Sequence, residues 1–219
     1  MTSIRRAGQT PVRIEICGGI ASGKTTLAKL LARGTEWTLV RENFRRNPFW
    51  AKFYADPVTF MREKNISFLP LHTGAIKSYS GKRAMVCDYA VFQDLAYARL
   101  SRSREHFTTM SAVYRDLYAS VGPPTLFIHL ECTARVQLAR IRARHRREEL
   151  SITVGYLQSL NEAIRAVMAE RKLGAPIKVI RADQVDFAHE PSQAARIKAE
   201  ILSMIDEMTR RAGPHSSVR

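Results

Sequence analysis

Residues 12–27 read Val12-Arg13-Ile14-Glu15-Ile16-Cys17-Gly18-Gly19-Ile20-Ala21-Ser22-Gly23-Lys24-Thr25-Thr26-Leu27, and they leave this chain few ways to fold. Apolar residues alternate up to Cys17, two glycines end the run, and Gly18, Gly23, Lys24 and Thr25 keep the G-x-x-x-x-G-K-[ST] spacing of a phosphate-binding loop. Such a loop needs a strand before it and a helix after it. The glycines let successive N–H groups curl around phosphate oxygens, and the positive end of the helix adds to the field. Thr25 to Ala32 supplies that helix, with Leu27, Leu30 and Leu31 at i, i+3 and i+4 to face a sheet. The expected nucleotide contacts are Gly18, Gly19, Ile20, Ala21, Ser22, Gly23, Lys24, Thr25 and Thr26. Lys24 would address the β- and γ-phosphates and the Thr25 hydroxyl would address Mg²⁺.

The rest of the chain repeats the alternation of strand and helix. Strands are expected at 36–40, 84–87, 125–130 and 177–180, each short, apolar and bounded by turn residues. Between them lie a short helix over 47–54 begun by Pro48, a longer one from Asp56-Pro57 toward Ser80-Gly81, and helical segments up to about Val121. A basic helix over 135–144, an amphipathic one over 154–172 and a last one over 191–211 follow. This order implies an α/β fold, a five-stranded parallel sheet covered on both faces through right-handed crossovers. Residues 12–211 read as a single domain, 1–11 as a flexible basic arm and 212–219 as a disordered tail.

Composition narrows the setting. Hydrophobic and charged fractions of 45% and 25% suit a soluble globular chain of 219 residues. No apolar run approaches a membrane span and the N-terminus lacks a signal-like core, so a cytoplasmic protein without a membrane partner is expected. Cys17, Cys87 and Cys132 each sit in or beside apolar runs, as buried free thiols do. The formal net charge of +15 permits loose adhesion to nucleic acid, but few aromatics stand among the basic residues to stack bases, so no specific nucleic-acid partner is expected.

A phosphate loop alone does not choose a reaction. No apolar strand ends in Asp-Glu as in many motors, and no Asn-Lys-x-Asp guanine reader is present. What remains is a carboxylate after each of two strands, Glu42 and Asp88, and an arginine cluster at Arg140, Arg144 and Arg146. Phosphoryl transfer to a small hydroxyl needs cations over the transferring group and a carboxylate to take the acceptor's proton. Lys24 and the three arginines can supply the first as an arginine-rich lid over ATP, and Glu42 is best placed for the second. Glu148 and Glu149 would restrain the arginines until substrate arrives.

The order Gly18-x-x-x-x-Gly23-Lys24-Thr25, Glu42, Asn47-Pro48-Phe49-Trp50-x-x-Phe53-Tyr54-x-Asp56-Pro57 resembles the deoxynucleoside kinase family. Leu126-Phe127-Ile128-His129-Leu130, Arg140-Ile141-x-x-Arg144-x-Arg146-x-Glu148-Glu149 and Tyr156-Leu157-x-x-Leu160 continue the likeness, from about residue 12 to 205. The resemblance implies a P-loop kinase fold, usually a homodimer, that uses ATP and Mg²⁺ to phosphorylate the 5′-hydroxyl of a deoxyribonucleoside. It implies that Glu42 is the general base, that Tyr54 and Glu149 hold the sugar 3′-hydroxyl, and that Asp94 faces the base. Asp186 and Phe187 would lie at the adenine of ATP, and Asp88 near Mg²⁺ and the 5′-hydroxyl.

Three departures stand out. Where the family commonly has Glu-Arg-Ser, this chain reads Asp88-Tyr89-Ala90; the family's base-reading glutamine falls near Asn65, and its arginine paired with the base-facing aspartate falls at His72. Trp37 and Trp50 read as packing residues. Two other readings remain at this point. A nucleoside monophosphate kinase of the thymidylate type would use Arg41, Arg45 and Arg46 on the acceptor's phosphate, and a nucleotide-binding partner protein would have kept the fold and lost catalysis.

Overall fold

The computed structural model describes residues 11–170 and 173–211. The basic arm expected over 1–11 lies, except for Pro11, outside the described residues, and so does the tail expected over 212–219. Five parallel strands, β1 (Val12–Gly18), β2 (Thr38–Val40), β3 (Ala84–Cys87), β4 (Leu126–Glu131) and β5 (Ile177–Arg181), form one sheet in the order β2-β3-β1-β4-β5. The register sets Ile14 opposite Val86 on one side and Leu126 on the other.

Helices cover both faces, so the central strands are buried on both sides; β3 is apolar throughout, whereas β1 carries Arg13 and Glu15 on one face, paired with each other at 3.0 Å. On one face α1 (Lys24–Ala32) and α8 (Pro191–Arg211) lay Leu27, Leu31, Ile197, Ile201 and Ile205 against Ile14, Ile16, Leu126 and Ile128. On the other, α4 (Gln93–Arg99), α5 (Arg104–Ala119) and α7 (Val154–Glu170) bury Leu95, Met110, Leu160, Ile164 and Val167 around Phe92 and Phe127. The helix after β1 and the helices after β3 thus lie on opposite faces. The crevice where neighbouring strands diverge in this way, beyond the carboxyl ends of β1 and β3, is where such sheets bind ligands.

Element boundaries differ from the sequence expectation in instructive places. β2 begins at Thr38 rather than at Glu36, because Thr35 turns the chain: its hydroxyl accepts the Trp37 N–H at 3.3 Å and bonds back to the end of α1. Pro48 does not start a helix; α2 (Trp50–Ala55) begins after Phe49. The turn before it is built on buried Asn47, whose Oδ1 accepts from Phe49 N at 3.0 Å and whose Nδ2 donates to the Lys64 carbonyl at 2.8 Å. That bond ties the turn to α3 (Pro57–Ser78), which is capped by Asp56 and continues through Pro70. Cys17, Cys87 and Cys132 are buried free thiols, as the sequence indicates. Among the described residues no helix is long and apolar enough to cross a membrane.

Candidate active site

A cavity of about 1020 Å³ opens over the carboxyl ends of the strands. The phosphate loop forms its floor. Gly18 has φ 143° and sits so close to β4 that a Cβ would lie 2.6 Å from the Leu130 carbonyl oxygen, while Gly23 turns into α1 at φ 107°. Both angles lie where side chains are strained, so only glycine fits without cost. Among the described residues, the N–H groups of Gly23, Lys24 and Thr25 find no protein acceptor and remain open to an anion. Gln93, which the sequence reading passed over, braces the loop by accepting the Gly18 N–H at 2.9 Å. Lys24 Nζ folds back onto the Gly18 and Gly19 carbonyls at 2.9 and 3.1 Å, and burial lowers its pKa despite the carboxylates of Glu42 and Asp88.

Two carboxylates stand beside the loop. Asp88, at the end of β3, accepts from the Thr25 hydroxyl at 2.8 Å and from the Glu42 N–H at 2.5 Å. Burial raises its pKa, with Glu42 adding to the effect and the two hydrogen bonds opposing it. Thr25 Oγ1 and Asp88 are hard oxygen donors, and among the described residues there is no group of three His, Cys, Asp or Glu that could form a protein cage. That donor set suits Mg²⁺, which is commonly held by one or two protein oxygens plus substrate phosphates.

Glu42 follows β2, and its side chain is 36% exposed, opening onto the cavity. Enclosure by protein pushes its pKa up, but His72, Lys24 and Lys64 outweigh that and hold it below the usual carboxylate value. Glu42 is therefore ionised at neutral pH. His72 Nε2 lies 3.3 Å from Glu42 Oε1, off the line of a formed hydrogen bond, and its Nδ1 lies 2.9 Å from Asp94 Oδ2. Burial disfavours charge on this imidazole, yet Asp94 and Glu42 raise its pKa to about 10. Tyr89 stacks on the His72 ring with centroids 4.2 Å apart and donates its hydroxyl to the His72 carbonyl at 2.9 Å. The Tyr89 and His72 departures from the family pattern are thus in contact with each other.

On the far wall Trp50, Phe53, Tyr54 and Phe68 form an aromatic surface, with Trp50 5.0 Å from Tyr54 and 6.0 Å from Phe68 between ring centroids. Trp50, expected as packing alone, lines the cavity. Asn65, expected to read a base, does not line the cavity: it is 1% exposed and its Nδ2 meets His106 Nε2 at 3.3 Å. The cavity side of α3 carries Lys64 and Phe68 at i and i+4, with His72 one turn further on reaching behind the wall to Glu42, and Asn65 is one residue, about 100°, round from that stripe. Lys64 is a cavity residue that sequence reasoning missed, and the i+4 stripe was the available signal.

The arginines are only partly free. Arg140, on α6 (Ala134–Ala143), donates to the carbonyls of Ala182 at 2.9 Å, Ser22 at 3.3 Å and Ala21 at 3.4 Å. Arg144 and Arg146 pair with Glu149, Arg144 Nε at 2.7 Å and Arg146 Nη1 at 3.4 Å from its carboxylate. Glu149, buried, holds both side chains; Glu148 is exposed and makes no ion pair among the described residues. Asp186 and Phe187 line the cavity after β5. Phe187 packs under Gly23, and Asp186 caps its own turn by accepting from Ala188 N and His189 N at 3.1 and 3.0 Å. Of the three arginines that a monophosphate acceptor would use, Arg41 lines the cavity, whereas Arg45 and Arg46 do not.

A family model described as deoxynucleoside kinase matches residues 14–206. The chain is 26% identical over 208 residues to a deoxyadenosine kinase of Dictyostelium discoideum, covering 92% of this chain and 84% of that protein. It is 24% identical over 200 residues to a deoxyguanosine kinase of Bacillus subtilis (strain 168), covering 88% and 97% respectively. Among solved structures, it resembles deoxyadenosine kinase from M. mycoides with bound dCTP, with a TM-score of 0.73 and 20% identity. That likeness covers 88% of this chain and all of the other.

Proposed function

The chain belongs to the deoxynucleoside kinase family, and from that premise we propose that its cavity carries in-line transfer of the γ-phosphoryl group of ATP to the 5′-hydroxyl of a deoxyribonucleoside. The observation that supports this most is an ionised Glu42 opening onto the same cavity as the phosphate loop. In this reading Glu42 is the general base that takes the 5′-hydroxyl proton, and His72 keeps it anionic. Lys24 exchanges the loop carbonyls for phosphate oxygens, and the open N–H groups of Gly23, Lys24 and Thr25 hold the rest. Bound at Thr25 and Asp88, Mg²⁺ would neutralise charge on the phosphates.

Arg144 and Arg146 leave Glu149 to cover the transferring group, where charge accumulates over the phosphoryl oxygens. Tyr54 and the released Glu149 address the sugar 3′-hydroxyl, Asp94 the base, and Asp186 with Phe187 the adenine of ATP. The same reading makes the protein a cytoplasmic salvage enzyme acting as a homodimer, with a mass by light scattering twice that of one chain.

The test is initial-rate ADP production with Mg²⁺-ATP against deoxynucleosides, ribonucleosides and the matching monophosphates. Turnover of a deoxynucleoside and none of its monophosphate is the expected result. Turnover of monophosphates alone overturns the proposed acceptor.

A further inference from the structure

Lys64 opens its ammonium onto the cavity, where among the described residues no protein group accepts from it. The residue is 4% exposed and lines the cavity, with Nζ 4.2 Å from the centroid of the Phe53 ring and 4.8 Å from that of Tyr97. Among the described residues no oxygen lies within hydrogen-bonding or ion-pairing distance of Nζ. The bond at this residue is made by its backbone carbonyl, which accepts from Asn47. Aromatic faces attract a cation but offer no lone pair in line with its three N–H groups. Polar groups taken out of water without such partners are costly, so an occupant that displaces water from this ammonium has to bring acceptors of its own.

Asp94, on α4, lines the same cavity. Its Oδ2 is occupied by His72 Nδ1 at 2.9 Å, leaving Oδ1 for the occupant. Lys64 and Asp94 come from helices rather than from the phosphate loop or the strand ends that carry Glu42 and Asp88. Asp94 is the residue assigned above to the base, and Lys64 lines the same cavity between Phe53 and Tyr97, so in this reading the two address the base.

Bases differ sharply in what they show an ammonium. Guanine sets two acceptors, O6 and N7, side by side, and lysine meets this pair in a well-known pairing; adenine puts an amino donor beside N7, cytosine shows an amino donor, and thymine shows O4 beside a methyl group. Asp94 does not separate the purines, since adenine N6–H₂ and guanine N1–H can each donate to it. Lys64 does.

Resting on the assignment of this cavity to a deoxyribonucleoside, we infer that Lys64 is a specificity-determining residue that donates to O6 and N7 of a 6-oxopurine, making deoxyguanosine and deoxyinosine the favoured acceptors. Burial lowers the Lys64 pKa to about 8 against the pull of Asp94 and Glu42, which leaves it charged at neutral pH.

The test compares wild type, Lys64→Met and Lys64→Gln by kcat/KM and by calorimetric affinity with deoxyguanosine, deoxyinosine, deoxyadenosine, deoxycytidine and thymidine. Wild type is expected to favour the two 6-oxopurines by roughly 10–100-fold, the discrimination typical of one well-placed base contact. Both variants are expected to bring that ratio close to one, chiefly through a higher KM for deoxyguanosine. Circular dichroism and ATP affinity verify that each variant is folded. Wild-type preference for deoxyadenosine or a pyrimidine nucleoside overturns the inference, and so does a folded variant that keeps the preference. Lys64-dependent binding of deoxyguanosine without turnover sinks the kinase reading and keeps Lys64 as base reader. Turnover without 6-oxopurine preference does the reverse.

Discussion

Glu42, His72 and Asp94 form a line of alternating charge through the cavity wall, and each member depends on the one beside it. Replacing Glu42 by Gln keeps the shape and removes the proposed base, so kcat is expected to fall by about 10²–10⁴-fold while ATP affinity measured by calorimetry holds. His72 bears on stability as well. Its folded pKa of about 10 lies above the ordinary 6.5, so its contribution is complete below pH 6.5 and is lost as pH climbs through 10. Breaking a buried pair costs roughly 3–5 kcal/mol, so His72→Gln should be destabilised by that amount near pH 6, and urea unfolding should show the gap narrowing toward pH 10. Residue-scale legibility was uneven for a geometric reason. Lys24, Glu42 and Asp88 are marked by a motif or a strand end, whereas Lys64 and Asn65 are adjacent on one helix and only rotation about its axis tells them apart. Single-residue spacing cannot fix that rotation when both neighbours are polar.

At the scale of elements, strands were easier to read than helix starts. β3 and β4 are short apolar runs closed by turn residues, and they fold nearly where that pattern puts them. Pro48 misled because its value as a first-turn residue says nothing about Asn47, whose side chain spends its bonds on the turn and on α3. Helix α1 shows how an element serves the site from a distance. Leu31 is fully buried at the end away from the phosphate loop. Leu31→Ala is expected to cost about 2–5 kcal/mol in urea unfolding, the range for such truncations, with kcat little changed in the folded fraction. At α5, Ser103 Oγ accepts the His106 N–H at 3.1 Å, and Ser103→Ala should cost about 1 kcal/mol in the same assay.

For the whole molecule, the number and direction of the strands were legible, but their order was not, because pairing β3 beside β1 joins residues some 70 positions apart with no local trace. The net charge of +15 has its effect at this scale too. With few aromatics among the basic residues, adhesion to duplex DNA should show no sequence preference in a gel-shift assay and should vanish between about 50 and 200 mM salt. Arg140 has a different reach, since its three carbonyl acceptors join α6, the phosphate loop and the exit of β5. The donor half is thereby cast as one tile. In the proposed cycle Arg144 and Arg146 have to leave Glu149, so opening and shutting break two ion pairs inside the short segment 144–149 while α6 and its three carbonyl ties stay in place.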